Sequence, residues 1–218
     1  MRLLLIGAPG SGKGTQATAI ADHFGFAHIS SGELLRQHIA DETPIGRIAG
    51  EFVARGDLVP DGVIMDVLRR PVETASRNGG YVLDGFPRSV AQAEAAYLVA
   101  KDLDAWVQVA VYLKVPHDML IERMRRRGQS AGRSDDSESV MRHRIEVFEE
   151  LTPPLLDYYA RREIVIYVDG SRSIGEVSAA VIAELDRVRG TLADHPLWID
   201  RQYEPTSSGT LASENDGS

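Results

Sequence analysis

The sequence predicts an α/β protein, a five-stranded parallel sheet flanked by helices, and three observations carry that prediction. Five short apolar runs are unbroken rather than alternating, as strands buried on both faces require. Longer stretches with helical patterning lie between them, and such alternation makes a parallel sheet covered on both sides. The first run, in "MRLLLIGAPGSGKGTQ", leads straight into a glycine-rich loop and then a helix.

The elements follow in chain order. "RLLLI" (2–6) is the first strand, and the stretch after the glycines predicts a helix over 13–24. "AHIS" (27–30) is the second strand, with Ser31 ahead of "GELL" as the start signal for a helix over 32–41. Asp61 before "GVIM" opens a helix over 61–76, "YVLDG" (81–85) is the third strand, and a helix follows over 89–101. "VQVAVYL" (107–113) is the fourth strand, followed by helices over 117–127 and 137–160. After the fifth strand, "IVIYVDG" (164–170), Ser173 and Glu176 form a capping-box pattern for a last helix over 174–189. No repeat and no internal linker interrupts the series.

Bulk properties exclude several classes. A chain of 218 residues, 43% hydrophobic and 26% charged, suits one soluble domain. No apolar run approaches bilayer length, and the N-terminal one is too short for a signal peptide, so we expect a cytoplasmic protein without a membrane partner. The absence of cysteine excludes disulfides and Cys-held zinc, and the six histidines show no metal-ligand spacing. Of the net charge of −8, Asp194, Asp200, Glu204, Glu214 and Asp216 against Arg201 supply −4. The body is then only mildly acidic, which argues against a nucleic-acid partner. Residues 190–218 read as a disordered acidic tail, in which "HPLWID" (195–200) is the one segment suited to docking.

Glycine loses more backbone freedom on folding than any other residue, so a loop this rich in it must gain something. From Gly7 to Gly12 and Lys13 it fits the phosphate-binding pattern G-x-x-x-x-G-K. There the glycines let successive backbone N–H groups face phosphate oxygens, the following helix adds its positive end, and Lys13 supplies a mobile cation. Gly10, Ser11, Gly12, Lys13, Gly14 and Thr15 are the candidate ATP contacts. The usual hydroxyl after the lysine is replaced by Gly14, with Thr15 one residue later.

"GAPGSGKGTQ" resembles the G-x-P-G-x-G-K-G-T of the nucleoside monophosphate kinases, adenylate kinases in particular. "HISSGELLR" (28–36), "GDLVPD" (56–61) and "DGFPRSVAQA" (84–93) resemble further stretches of that family in the same order. "RRRGQSAGRSDDSESVMRHR" (125–144) resembles the short lid of its compact members. The resemblance spans residues 1–189. It implies a P-loop NTPase-type sheet, a small helical monophosphate-binding subdomain over 30–59, a short lid over 127–137, ATP and AMP as substrates, Mg²⁺ with ATP, no structural zinc, and a monomer. Nucleotide-binding without catalysis, and UMP/CMP kinase activity, are the rival readings. Ser31 and Gln92 stand where UMP/CMP kinases tend to carry Ala and Asn.

Each motif has a physical reading beside that resemblance. Asp84 ends a buried strand at the carboxyl edge, where open sheets bind ligands; it suits water-mediated Mg²⁺ with Thr15, or caps the next helix. Arg88 offers a planar fork to a phosphate, and Gln92, four residues on, shares its helix face. Ser31 either caps its helix or reaches the acceptor's base. By resemblance, Arg36 and Arg88 grip the acceptor phosphate, while Asp57, Leu58, Val59, Gly85, Phe86 and Pro87 line the AMP site. Residues 123–144 hold seven of the chain's 21 arginines. That run is either a solvated helix face or a polyphosphate clamp, and Gly128, Ser130 and Gly132 within it predict a helix break and a flexible loop. The resemblance sets Arg123 and Arg127 on the triphosphate, Arg133 and Arg144 at the transfer point, and Arg172 on the ATP side. It gives Arg125, Arg126 and Arg142 no binding role.

Overall fold

A computed structural model of the chain describes residues 1–103, 105–131 and 137–194. The five strands are β1 (Arg2–Gly7), β2 (Ala27–Ser30), β3 (Tyr81–Asp84), β4 (Val109–Lys114) and β5 (Ile164–Asp169), all parallel in the order β2-β3-β1-β4-β5. The helices are α1 (Lys13–Phe24), α2 (Ser31–Ala40), α3 (Pro44–Arg55), α4 (Asp61–Arg77), α5 (Val90–Asp102), α6 (His117–Ala131), α7 (Glu138–Ala160) and α8 (Ile174–Asp194).

Strand β1 shows why the apolar runs do not alternate. Leu3 and Leu5 pack with Ile20 of α1 and Val181 and Leu185 of α8 on one face. Leu4 and Ile6 pack with Leu155, Tyr158 and Tyr159 of α7 on the other. Both faces are buried, so both residue sets must be apolar, and each fully buried leucine contributes about 2 kcal/mol. A separate cluster joins Leu35 of α2, Ala49 of α3 and Ile64, Val67 and Leu68 of α4 to Leu83 and Phe86. This cluster anchors the helical arm beside the sheet. Because the strands are parallel, the segments after β1, β2, β3 and β5 all leave from one edge. The one after β1 sits centrally, where the strand order reverses direction.

Five local readings need correction. Helix α3 was not foreseen, although Thr43 accepts from Gly46 N–H at 3.0 Å with Pro44 at the first turn, and Gly56 closes it at φ +79°. Ser30, not Ser31, caps α2, its hydroxyl taking Glu33 N–H at 3.4 Å; the cap before α4 is Pro60, with Asp61 already helical. α6 continues through Gly128 and Ser130 to Ala131, so glycine lowers helix preference there without ending the helix. α8 runs to Asp194, past the boundary at 189, because Leu192 still packs beside Met1, Phe24 and Phe26. Elsewhere, Ser173 and Glu176 form the expected reciprocal cap, with Ser173 N–H donating to Glu176 at 3.1 Å. Residues 132–136 of the lid and the tail from 195 lie outside the described residues.

Candidate active site

The loop between β1 and α1 is built by glycine geometry. Gly10 and Gly12 have φ of +81° and +93°, which L side chains rarely adopt. Gly10 also has no room, since a Cβ would come 2.9 Å from Leu120 O and 2.8 Å from Met124 Cγ. Ser11 turns its hydroxyl inward and is 3% exposed, so its side chain faces away from the cleft, and its N–H donates to Ala8 O at 3.1 Å. Helix α1 starts at Gly12 without a side-chain cap, leaving its first N–H groups for an anion. Lys13 Nζ donates to Gly7 O at 2.7 Å and Ala8 O at 2.9 Å, folded back over the loop.

A cleft opens in front of this loop. Gly10, Gly12, Lys13, Gly14 and Thr15 line it with Arg36, Asp84, Arg88, Arg123 and Arg144. Arg123 is held across its floor, Nη1 donating to Gly170 O at 3.0 Å and to Ser11 O at 3.5 Å. Asp84 at the end of β3 is 8% exposed, and its Oδ1 has no hydrogen-bond partner. Ser89, not Asp84, caps α5. With its other oxygen, Oδ2, 3.8 Å from where a Cβ would stand at Gly14, this buried carboxylate fits a hard divalent cation reached through water, which is how Asp84 and Thr15 would hold Mg²⁺.

A second pocket adjoins the cleft, lined by Ser31, Arg36, Asp57, Leu58, Val59, Gly85, Phe86, Arg88, Gln92 and Arg144. Ser31 is 1% exposed with an unpartnered hydroxyl, so the choice between cap and base contact falls to the pocket. Gln92 is 3% exposed and its Oε1 accepts from Arg88 N–H at 2.9 Å, which fixes the amide and aims its donors away from that bond. Arg88 Nε donates to Gly85 O at 2.7 Å. Asp57 lines the pocket, yet its carboxylate is taken by Arg55 and His143, and the Arg55 hydrogen bond first, then His143, holds its pKa below the usual carboxylate range. Gly32, Arg36, Gly85, Arg88 and Arg144 line both cavities, so a shared arginine wall joins them.

Other expected residues stand apart. Pro87 faces an apolar groove on the far side of β3, between α4 and α5, rather than the pocket. Arg172 leans on Asp169 at 3.4 Å and does not line the cleft. Arg125 and Arg126 pair with Glu122, and Arg142 with Glu138, along their own exposed helix faces. Arg127 lies in α6, where only its backbone is described, and Arg133 lies outside the described residues.

Most of the sequence has counterparts in known proteins. The family model described as adenylate kinase matches residues 5–164. The chain belongs to the adenylate kinase family. It is 39% identical over 189 residues to an adenylate kinase of Porphyromonas gingivalis, covering 87% of this chain and 97% of that protein. Adenylate kinases of Kocuria rhizophila and Rhodococcus erythropolis are each 40% identical, covering 85% and 86% of this chain and 99% and 100% of theirs. As an adenylate kinase family member the chain is a phosphotransferase. Among the described residues no helix is long and apolar enough to cross a membrane, and no group of His, Cys, Asp and Glu could hold a metal ion by itself.

Sequence reading passed over Gly32, Leu35, Val53, Gly56 and Ile64, which also line the second pocket. Gly32 had a signal in its neighbour, since a Cβ there would come 3.2 Å from Arg36 Nη1. The Asp57–His143 bond had none, because 86 residues separate the partners.

Proposed function

We propose that the protein catalyses Mg²⁺-dependent, reversible transfer of the terminal phosphoryl group of ATP to AMP, giving two ADP, as a cytoplasmic monomer. The observation that carries this reading is the shared wall of Arg36, Arg88 and Arg144 between a phosphate-loop cleft and a second pocket. A nucleotide-binding module without turnover has no use for that second pocket.

Electrostatics decide what such a site must do. Two unit charges 4 Å apart at a protein surface repel by about 4 kcal/mol, and a triphosphate facing a monophosphate multiplies that figure. Lys13, Arg36, Arg88, Arg123 and Arg144 around one cleft offset it. In this reading Lys13 and Arg123, with Arg127, hold the donor's phosphates, and Arg36 and Arg88 hold the acceptor's. Arg144 lines both cavities, and the resemblance assigns it, with Arg133, to the transfer of the phosphoryl group. The acceptor phosphate is already an anionic nucleophile: its oxygen attacks the γ-phosphorus, the bond to the β-phosphate oxygen breaks, and no general base is needed. Mg²⁺, held through water by Asp84 and Thr15, would neutralise charge on the donor phosphates. Ser31 and Gln92 read the acceptor base, with Leu58 and Val59 covering it. In this reading helices α2 and α3 belong to the acceptor-side arm over 30–59, and the resemblance assigns 127–137 the role of a lid against water.

The test is a coupled turnover assay with Mg·ATP and each of AMP, GMP, UMP and CMP. We expect AMP to be preferred by at least tenfold in kcat/KM, and hydrolysis of ATP alone to be slow. No product with any acceptor defeats the kinase reading, and preference for UMP or CMP defeats the choice of base.

A further inference from the structure

His143 touches no phosphate-lining group, yet it ties together two parts of the acceptor site. Its Nε2 lies 2.8 Å from Asp57 Oδ1, while Arg55 Nε donates to the other carboxylate oxygen at 2.9 Å. Asp57 stands just past α3, at the foot of the acceptor-side arm, and His143 immediately precedes Arg144 on α7. Between them the backbone lies flat on the helix. A Cβ at Gly56 would come 2.9 Å from Arg144 Cγ and 3.1 Å from Val140 Cγ1, and Gly56 has φ of +79°. Val140, His143 and Arg144 are spaced i, i+3, i+4, so they form one ridge on α7. The segment 56–57 is seated on that ridge, and the next two residues, Leu58 and Val59, form the pocket wall.

We propose that His143 is a positioning residue: bonded to Asp57, it sets the register of the Asp57–Val59 wall against Arg144 and so tunes affinity for the acceptor nucleotide. The proposal rests on the assignment of that pocket to AMP. His143 and Asp57 side chains are 43% and 37% exposed, so the bond is a tuning contact rather than a pillar of the fold. The histidine needs to donate one N–H toward a carboxylate, which a glutamine amide can also do.

Calorimetry with AMP and with ATP, alongside steady-state turnover, tests this on the full chain. His143→Ala should weaken AMP binding about 2–5-fold, the range an exposed pair supports, and raise KM for AMP equally. Affinity for ATP and kcat at saturation should stay within about 1.5-fold of the parent. His143→Gln should recover most of the loss. In a double-mutant cycle with Asp57→Ala, which leaves no acceptor for the imidazole, the His143→Ala effect should vanish. Unchanged AMP affinity in His143→Ala overturns the proposal, as does an equal loss for both nucleotides, which would mark general loosening. A parent chain that binds no AMP defeats the function reading itself, a result separable from either of these.

Discussion

Gly85→Ala is the perturbation whose outcome follows most directly from geometry. Gly85 joins β3 to the acceptor pocket at φ +83°, a conformation that costs a side-chain-bearing residue about 1–2 kcal/mol. Its new methyl would also stand 2.6 Å from Ser31 Oγ, closer than any real contact, and 3.6 Å from Arg88 Nη2. Ser31 is 1% exposed and has nowhere to retreat, so crowding adds about 1–3 kcal/mol. The sum, about 2–5 kcal/mol, corresponds to a melting point lower by about 4–20 °C for a chain of this size. On the proposed assignment of that pocket to AMP, KM for AMP should rise at least ~10-fold while KM for ATP moves less. The decisive comparison adds Ser31→Ala. Removing Oγ leaves Ser31 Cβ 3.9 Å from the new methyl, an ordinary contact. The double variant should then be more stable than Gly85→Ala by about 1–2 kcal/mol, with the φ cost still in place. Calorimetric melting and AMP titration of the four proteins measure both. A Gly85→Ala protein that melts within 1 °C of the parent, or a Ser31→Ala change that recovers nothing, would refute the reasoning.

Ser31→Ala alone should leave the free protein as stable or slightly more so, because it removes a buried hydroxyl without a partner, yet weaken AMP binding; parallel melting and calorimetry check that the two move apart. Arg144→Ala should lower kcat by about 10³–10⁵ while ATP still binds, the scale on which a charge-neutralising arginine acts in phosphoryl transfer; a loss under tenfold removes it from the transfer point. Thr43→Ala should cost about 1 kcal/mol by uncapping α3, seen as faster amide exchange over 44–50 than in β1. Burial pushes the Glu163 carboxyl up to about 8, with Arg162 and Arg2 opposing. The proton held in the folded state therefore stabilises fully below the ordinary value near 4.5, and that contribution is lost as pH rises toward 8. Glu163→Gln should gain in melting temperature over the parent as pH climbs from 5 to 8.5, and a pH-independent difference would contradict this.

Much of this was legible in the sequence because the strong signals are local. The central runs became β1, β3 and β4, since burial on both faces leaves no other residue pattern available, while β2 and β5 stand at the edges with partly exposed residues. The phosphate loop was legible because Gly10 and Gly12 answer a backbone requirement that can be read without tertiary context. What escaped was decided between neighbours. Ser30 and Ser31 are chemically alike, and only the turn of the chain makes one a cap and buries the other in the pocket. Helix α3 was hidden by its modest length and glycines, though Gly46 is required because a Cβ there would come 1.9 Å from His38 O. Gly128 read as a break and was carried through by α6, where the helix's packing through Leu120 and Met124 outweighs a propensity loss of about 1 kcal/mol. Arg172 and Pro87 were assigned by motif alone, and motif spacing does not say which way a side chain turns.

The single direction shared by the strands has a consequence for how such a molecule can change over time. Chemistry occupies the rim where the strands finish, whereas Tyr81, Trp106 and Glu163 gather where they begin, at the opposite rim. Substitutions there can harden the protein against heat or alkali without reaching a nucleotide, and loops above can be retuned without loosening the foundations. Endurance and speed thus sit on separate dials, and a lineage moving between climates can turn one while leaving the other alone.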